Sequence, residues 1–476
     1  MRAILLFCLS LSFYFLSAQS LIHSKHIGWS GSQVMLQTIH DKSGDLHASL
    51  LESQDSFKVI LYDRAFTEVH EYNISRLNQE ELTAGFIKDG KIYLFCNYKS
   101  PAGYHNYTID ISSGEINFVL ILSDKRKEKL IDRISSGDYA LWLGIDKKNS
   151  SFVIYNWHNQ QDMDTIIYHF KDPAMWESIT KSGNLFGRDV DVAKIDEAGL
   201  PDIQSVSAMN KVYLIHDTLF LTMNRNQGNT IVYAFDLYNK TVNFRLIENE
   251  SVSKVYNKYT RETKVEGDYV DNSYLLNGKL YFISATNEGL HASISDFYSG
   301  TRLKYFEVKR EDTIDFKNTP VLQEGKALYF NNTKELTRTK QLLRKMTSGN
   351  AAIAALNDSM GIAITLGSNK EEKQMGMPGY GFSSGSTTTM IGGGGMGNFS
   401  SGTWTKAVRF RMLVDSSSFQ HIPGDMEPSI NDRIDEFSQD IKIPEHAENL
   451  LFQDGRYIYI YYDKKKQSLV LQQFPI

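Results

Sequence analysis

The chain is nearly without cysteine. Of the two in 476 residues, Cys8 lies in an N-terminal stretch that reads as a removable leader, so Cys96 stands alone and an internal disulfide is excluded. Stability has to come from burial, and a chain of this length can bury enough. Basic blocks are missing as well: 51 Lys and Arg face 56 Asp and Glu, the formal charge is −5, and its even spread argues against nucleic acid or anionic lipid as partner. Beyond the leader no apolar run reaches the roughly 20 residues needed to span a bilayer. Metal signatures are absent in the same way, with no His-Glu-x-x-His and with His158, His169, His216 and His291 scattered at no ligand spacing.

The leader has Arg2, an apolar run from Ala3 to Leu16 and the small-residue close Ser17-Ala18-Gln19-Ser20. It reads as a secretory signal peptide over residues 1–20, cleaved between Ala18 and Ser20, which places the mature chain beyond the membrane, secreted or periplasmic. A lipoprotein anchor at Cys8 does not fit, because the bulky Phe7 precedes it and the apolar run continues past it.

What the chain has in quantity is one phrase, rewritten. Asn277-Gly-Lys-Leu-Tyr-Phe-Ile-Ser284 has versions at Asp89-Gly-Lys-Ile-Tyr-Leu-Phe-Cys96, Asn210-Lys-Val-Tyr-Leu-Ile215, Glu324-Gly-Lys-Ala-Leu-Tyr-Phe330 and Asp454-Gly-Arg-Tyr-Ile-Tyr-Ile-Tyr461. Asn-Gly and Asp-Gly supply the positive φ angles of a tight hairpin, and the aromatic and β-branched run that follows reads as a strand. Leu280, Tyr281, Phe282 and Ile283 show no apolar/polar alternation, so both faces of that strand should be covered. Small antiparallel sheets stacked face to face meet this demand, and the predicted fold is an all-β propeller of seven blades, six and eight being the neighbouring counts. It should form a single domain over residues 21–476.

In chain order the blades fall at about Ile27–Ile74, Glu80–Leu122, Ile131–Phe170, Val206–Ile247 and Tyr269–Val308, with a sixth built around Lys326–Asn331. The spacing within Lys334–Met346 predicts an amphipathic helix inserted in blade six. A hairpin follows over Ala351–Leu356 and Gly361–Leu366. Asn369–Thr403, Gly- and Ser-rich around Gly392-Gly-Gly-Gly395, cannot repay its ordering entropy and is expected to be a mobile loop. Pro173–Pro201 reads as a strand plus a loop excursion with a helical turn, and Glu248–Asp268 as an exposed connection. A spare strand near His26–Trp29 and the C-terminal hairpin, Tyr457–Tyr462 with Ser468–Phe474, should close the ring in one sheet. On the signal end, the Gly-Lys-Leu-Tyr-Phe strand type and the helix Thr337-Arg-Thr-Lys-Gln-Leu-Leu-Arg-Lys345, the chain resembles uncharacterised secreted β-propeller-like proteins of Bacteroidetes. The resemblance implies the fold and no particular activity.

Several motifs have a bland reading that outweighs the chemical one. Gly381-Phe-Ser-Ser-Gly385 matches a nucleophile elbow but has no helix after it. Gly392, Gly394 and Gly397 fit a dinucleotide fingerprint outside any βαβ unit, so no cofactor is expected. Asp41-Lys-Ser-Gly-Asp45 could offer oxygens to calcium yet reads better as a hairpin turn. Asp189, Asp191, Asp196, Glu197 and Asp202 form either a solvated acidic face or a cation site. Cys96, inside an apolar strand, reads as core rather than as a nucleophile. The Tyr98–Tyr107 region and Trp157-His158 suit sugar or peptide contacts, with packing between blades as the simpler role.

The composition therefore points to a secreted, non-enzymatic binding or scaffold module of the cell envelope, a monomer whose partner is an unidentified protein or glycan. The alternative is a glycoside hydrolase or lyase at the mouth of the channel, using carboxylates brought together from different blades. Linear order would not reveal such a pair, and neither catalytic nor metal-binding residues can be assigned from it.

Overall fold

A computed structural model of the chain describes residues 19–475 apart from 30–33, 78–79, 100–101, 122–127, 181–191, 196–200, 202, 204, 251–253, 258–261, 266–267, 328–329, 374–402 and 445. Among these residues it is all-β, with three short α-helices beside the strands. The repeated phrase nucleates the sheets as its chemistry demands. Asp89-Gly90, Asn277-Gly278 and Asp454-Gly455 each place two successive residues at positive φ (49° and 70°, 50° and 67°, 49° and 74°), the geometry of a two-residue hairpin turn. The strands that follow are buried on both faces: Leu280, Tyr281, Phe282 and Ile283 are all at most 1% exposed.

The chain divides into two compact units, one built on Met1–Lys171 with Pro428–Ile476, the other on Asp172–Met390 with Met396–Glu427. The first holds four antiparallel four-stranded sheets. Their strands are Met35–His40, Leu46–Glu52, Ser56–Asp63 and Glu68–Ser75; Glu80–Lys88, Lys91–Lys99, Ala102–Asp110 and Ile116–Ile121; Lys129–Ser135, Ala140–Asp146, Ser151–Trp157 and Met163–His169; and Glu448–Gln453, Arg456–Asp463 and Ser468–Pro475 with Ser20–His26 on the outside. These sheets pack face to face. Leu50, Val59 and Leu61 of the first meet Leu94, Cys96 and Ile109 of the second, and Phe95 of the second meets Trp142 and Val153 of the third. On the other side, Leu51 and Ile60 of the first meet Ile458 and Leu469 of the sheet that joins the two chain ends.

The second unit holds three sheets of four or five strands and a two-stranded ribbon. One runs Asn210–Ile215, Thr218–Asn224, Asn229–Asp236 and Thr241–Glu248, with Ala193–Ile195 added in parallel at its inner edge. The next has Val270–Leu276, Lys279–Ala285, Gly289–Asp296 and Arg302–Lys309. In the third, Asn350–Asp358, Gly361–Lys373 and Thr403–Val414 are followed by Leu322–Ala327 and Phe330–Glu335. One apolar core joins all three.

Several expectations need correction. Glu324-Gly325 does not make a turn but lies inside the strand Leu322–Ala327, and Lys326–Asn331 spans the end of that strand and the start of Phe330–Glu335 instead of being a strand itself. Asn210-Lys211 likewise lies within a strand, and the positive φ before Thr218 belongs to His216. The helix begins at Thr339, not Lys334, because Lys334 and Glu335 are committed to the ladder with Leu322–Ala327. Its buried side is Leu342, Leu343 and Met346, as the spacing predicts. The N-terminal strand that pairs with the last is Ser20–His26 rather than His26–Trp29, running from Ser20 opposite Gln473 to His26 opposite Ser468 with a bulge between Leu21 and His23. Pro173–Thr180 is a full two-turn helix, and the 248–268 connection contains the ribbon Lys254–Asn257 with Glu262–Val265. Of the Asn369–Thr403 segment, Asn369–Lys373 continues a strand paired with Thr403–Ala407, and 374–402 lie outside the described residues. The leader up to residue 18 lies outside them as well.

Candidate functional site

Among the described residues, one group of His, Cys, Asp and Glu side chains converges closely enough to share an ion: Glu80, Cys96 and His105, with ligand atoms all within 4.8 Å of one another. Three adjacent strands supply one residue each. Cys96 and His105 are direct cross-strand partners, and Glu80 sits opposite Tyr98, two residues along from Cys96. Because strand side chains alternate faces, all three leave the same side of the sheet. They do so at the end of the core shared with the first sheet, and each is fully buried.

Glu80 is the hub. Its Oε1 meets His105 Nε2, and its Oε2 accepts from the Leu77 backbone N–H at 2.7 Å and from the Tyr107 hydroxyl at 3.3 Å. The Cys96 thiol faces the same carboxylate, and burial, reinforced by that negative charge, pushes its pKa well up. Arg76 braces the cluster from the side. It donates to the Glu80 carbonyl at 2.6 Å and to the Ser53 carbonyl at 2.5 Å, and it pairs with Glu52 Oε1 at 2.7 Å. Burial pushes the Glu52 carboxyl up to about 7 although Arg76 pulls the other way. Two carboxylates from neighbouring sheets do meet here, but both are buried, so no sugar ring can lie between them as glycoside cleavage requires.

A second polar group lies on the Val270–Lys309 sheet and is partly open to solvent. Glu250 accepts from the Tyr269 hydroxyl at 3.1 Å and from the Ser284 hydroxyl, and its Oε1 lies 3.8 Å from His291 Nε2. The other imidazole nitrogen of His291 meets the Tyr305 hydroxyl, which forms a short Tyr305–His291–Glu250 relay. Burial and the carboxylates of Glu307 and Glu250 raise the Tyr305 phenol, so it stays protonated and keeps a proton to donate. The Arg302 guanidinium stands 5.4 Å over its ring.

The residues singled out from sequence fare unevenly. Cys96 is buried as a core residue, yet it belongs to the first cluster, whose other members were not singled out. Asp41 serves its hairpin, accepting from Ser43 Oγ at 2.6 Å and the Leu46 N–H at 3.0 Å. Tyr104, Tyr107 and Trp157 are buried in inter-sheet packing, and the Tyr98–Tyr107 region is two strands rather than a loop. His158 pairs with Asp164 at 3.2 Å and His169 with Ser151 at 2.7 Å. The acidic group Asp189, Asp191, Asp196, Glu197 and Asp202 and the motifs Gly381–Gly385 and Gly392–Gly397 lie outside the described residues.

No family model and no curated protein matches the chain. Among solved structures it is similar to a chimera of Synechocystis apocarotenoid oxygenase and RPE65, at 7% identity over 58% of this chain and 61% of that one, TM-score 0.28. It is similar also to cobalt-substituted Synechocystis apocarotenoid oxygenase, at 6% identity over the same shares, TM-score 0.29. With dihydro-heme d1 dehydrogenase NirN the identity is 10% over 93% of this chain and 66% of that one, TM-score 0.32. The chain thus spans less than two thirds of the length of these proteins, and likenesses of this size transfer neither oxygenase nor dehydrogenase chemistry.

Proposed function

We propose that the chain is an exported β-propeller whose seven blades are its seven sheets of four or five strands, and that it works as a binding or scaffold module for a protein partner at the cell envelope. The supporting observation is what the last strand of several sheets leaves exposed. Positions open to water on such a strand should carry polar residues. Instead Ile116, Phe118 and Leu120 alternate along one such strand, with Phe118 45% and Leu120 51% exposed, while Phe244 is 57% and Ile167 54% exposed on two others. Exposed apolar side chains that recur at one position of several sheets fit a protein partner better than a small polar substrate. The resemblance to secreted proteins of Bacteroidetes agrees with export.

Phe118→Ser combined with Leu120→Ser should leave the melting temperature within a few degrees and abolish co-purification of a stoichiometric partner after cross-linking in the native host. Retention of the same partner by the double variant overturns the reading. Export predicts a mature N-terminus between residues 19 and 21 by intact-mass spectrometry of the chain isolated from its host. A second reading has its own observation, the half-open Tyr305–His291–Glu250 relay. If the protein is a glycoside hydrolase or lyase, a glycan panel will show turnover that Glu250→Gln removes.

A further inference from the structure

We propose that Glu80, Cys96 and His105 form a structural site for one zinc-like divalent transition ion, locked inside the sheet that supplies all three. The inference is independent of what the surface binds. Sulfur, imidazole nitrogen and carboxylate oxygen are the donor set that zinc takes. Three adjacent strands deliver them to one point, with all pairs of donor atoms within 4.8 Å. Tetrahedral zinc with bonds of about 2.0–2.3 Å needs its donors roughly 3.3–3.8 Å apart, so small side-chain adjustments suffice.

Charge supports the same assignment. Burying net charge is costly, and a thiolate plus a carboxylate cancels the two positive charges of the ion, so the filled site is neutral. The adjacent Arg76 and Glu52 pair with each other and leave that balance untouched. On loading, the Cys96 S–H bond is replaced by a sulfur–metal bond and the proton leaves to solvent. His105 binds through Nε2, and Glu80 exchanges its contacts with the thiol and the imidazole for the ion. Three protein donors leave a fourth position on a tetrahedral ion, but with every donor fully buried no substrate can reach it, which makes the ion a clamp and not a catalyst.

The test uses the full chain, unfolded in chelator and refolded with cobalt(II) or zinc(II) alone. The expected cobalt form shows a near-ultraviolet thiolate-to-cobalt charge-transfer band, with about one equivalent of metal per chain by mass spectrometry of the digested protein. The zinc form melts at a higher temperature than the stripped chain, and lowering the pH weakens binding because protons compete for the sulfur and nitrogen. His105→Gln and Cys96→Ser each remove the metal. Should Cys96→Ser not fold, the wild-type cobalt spectrum decides alone. Absence of the thiolate band, or undiminished metal content in folded His105→Gln, overturns the proposal.

Discussion

At the scale of single residues, one aspartate is used again and again. Asp110, Asp236, Asp296, Asp415 and Asp463 each end or follow a strand and accept the backbone N–H groups two and three residues on, which fixes the turn into the next strand. The Lys279 ammonium at 2.7 Å, with the turn's own donors, holds Asp296 well below the usual carboxylate range. Asp296→Ala should cost about 1 kcal/mol in urea unfolding, the net worth of a few partly solvated hydrogen bonds. Phe282→Asp, at a site 1% exposed, should prevent folding altogether, since it gives up roughly 1.5–3 kcal/mol of burial and adds an unpaired buried charge. Native-like circular dichroism and melting of that variant would contradict the two-faced burial.

Asp271 reverses the usual behaviour of a carboxylate. Burial pushes it up to about 6, against the pull of the Asn226 and Gly228 N–H groups at 3.0 and 2.7 Å. The folded chain keeps this proton to about pH 6 and the unfolded chain releases it near the ordinary 3.8, so unfolding sheds a proton between those values. The site therefore favours folding most at low pH and loses on the order of 3 kcal/mol as pH rises through the window. Wild type should accordingly be favoured over Asp271→Asn at pH 4, by a gap that narrows towards pH 7. A gap that widens would contradict the raised value.

Elements were legible where local chemistry and tertiary demand agreed. Asn-Gly and Asp-Gly turns, followed by apolar runs, located three hairpins because positive φ at both positions admits few other residues. Glu324-Gly325 misled because glycine is also tolerated within a strand, and Lys334-Glu335 misled because helical spacing continues into residues that a neighbouring strand has already claimed. The Glu80 cluster was illegible for a different reason. Its members are brought together by strand pairing alone, and the only local sign was a Glu and a His at positions where a buried strand should be apolar. A related polar staple ties the three sheets of the second unit: Lys211 Nζ donates to Asn272 Oδ1 at 2.5 Å, and Asn272 Nδ2 donates to the Ala351 carbonyl at 2.7 Å. Asn272→Leu should cost about 3 kcal/mol, because it withdraws a partner from a buried ammonium, and denaturant titration will measure it.

For the whole molecule, the decisive join is Ser20–His26 on Ser468–Pro475. Removing residues 20–26 should bare the edge of the Ser468–Pro475 strand, lower the melting temperature and produce oligomers on size-exclusion chromatography, since an uncovered edge recruits other strands. No described helix is long and apolar enough to cross a membrane. The same join imposes an order in time. Ser20–His26 finds its partner only at Ser468–Pro475, far along the chain, so one sheet of a growing polypeptide stays open until that strand has been made. A chain that locks late stays pliable while it is being made, and a product cut short before that strand is left with an open sheet edge.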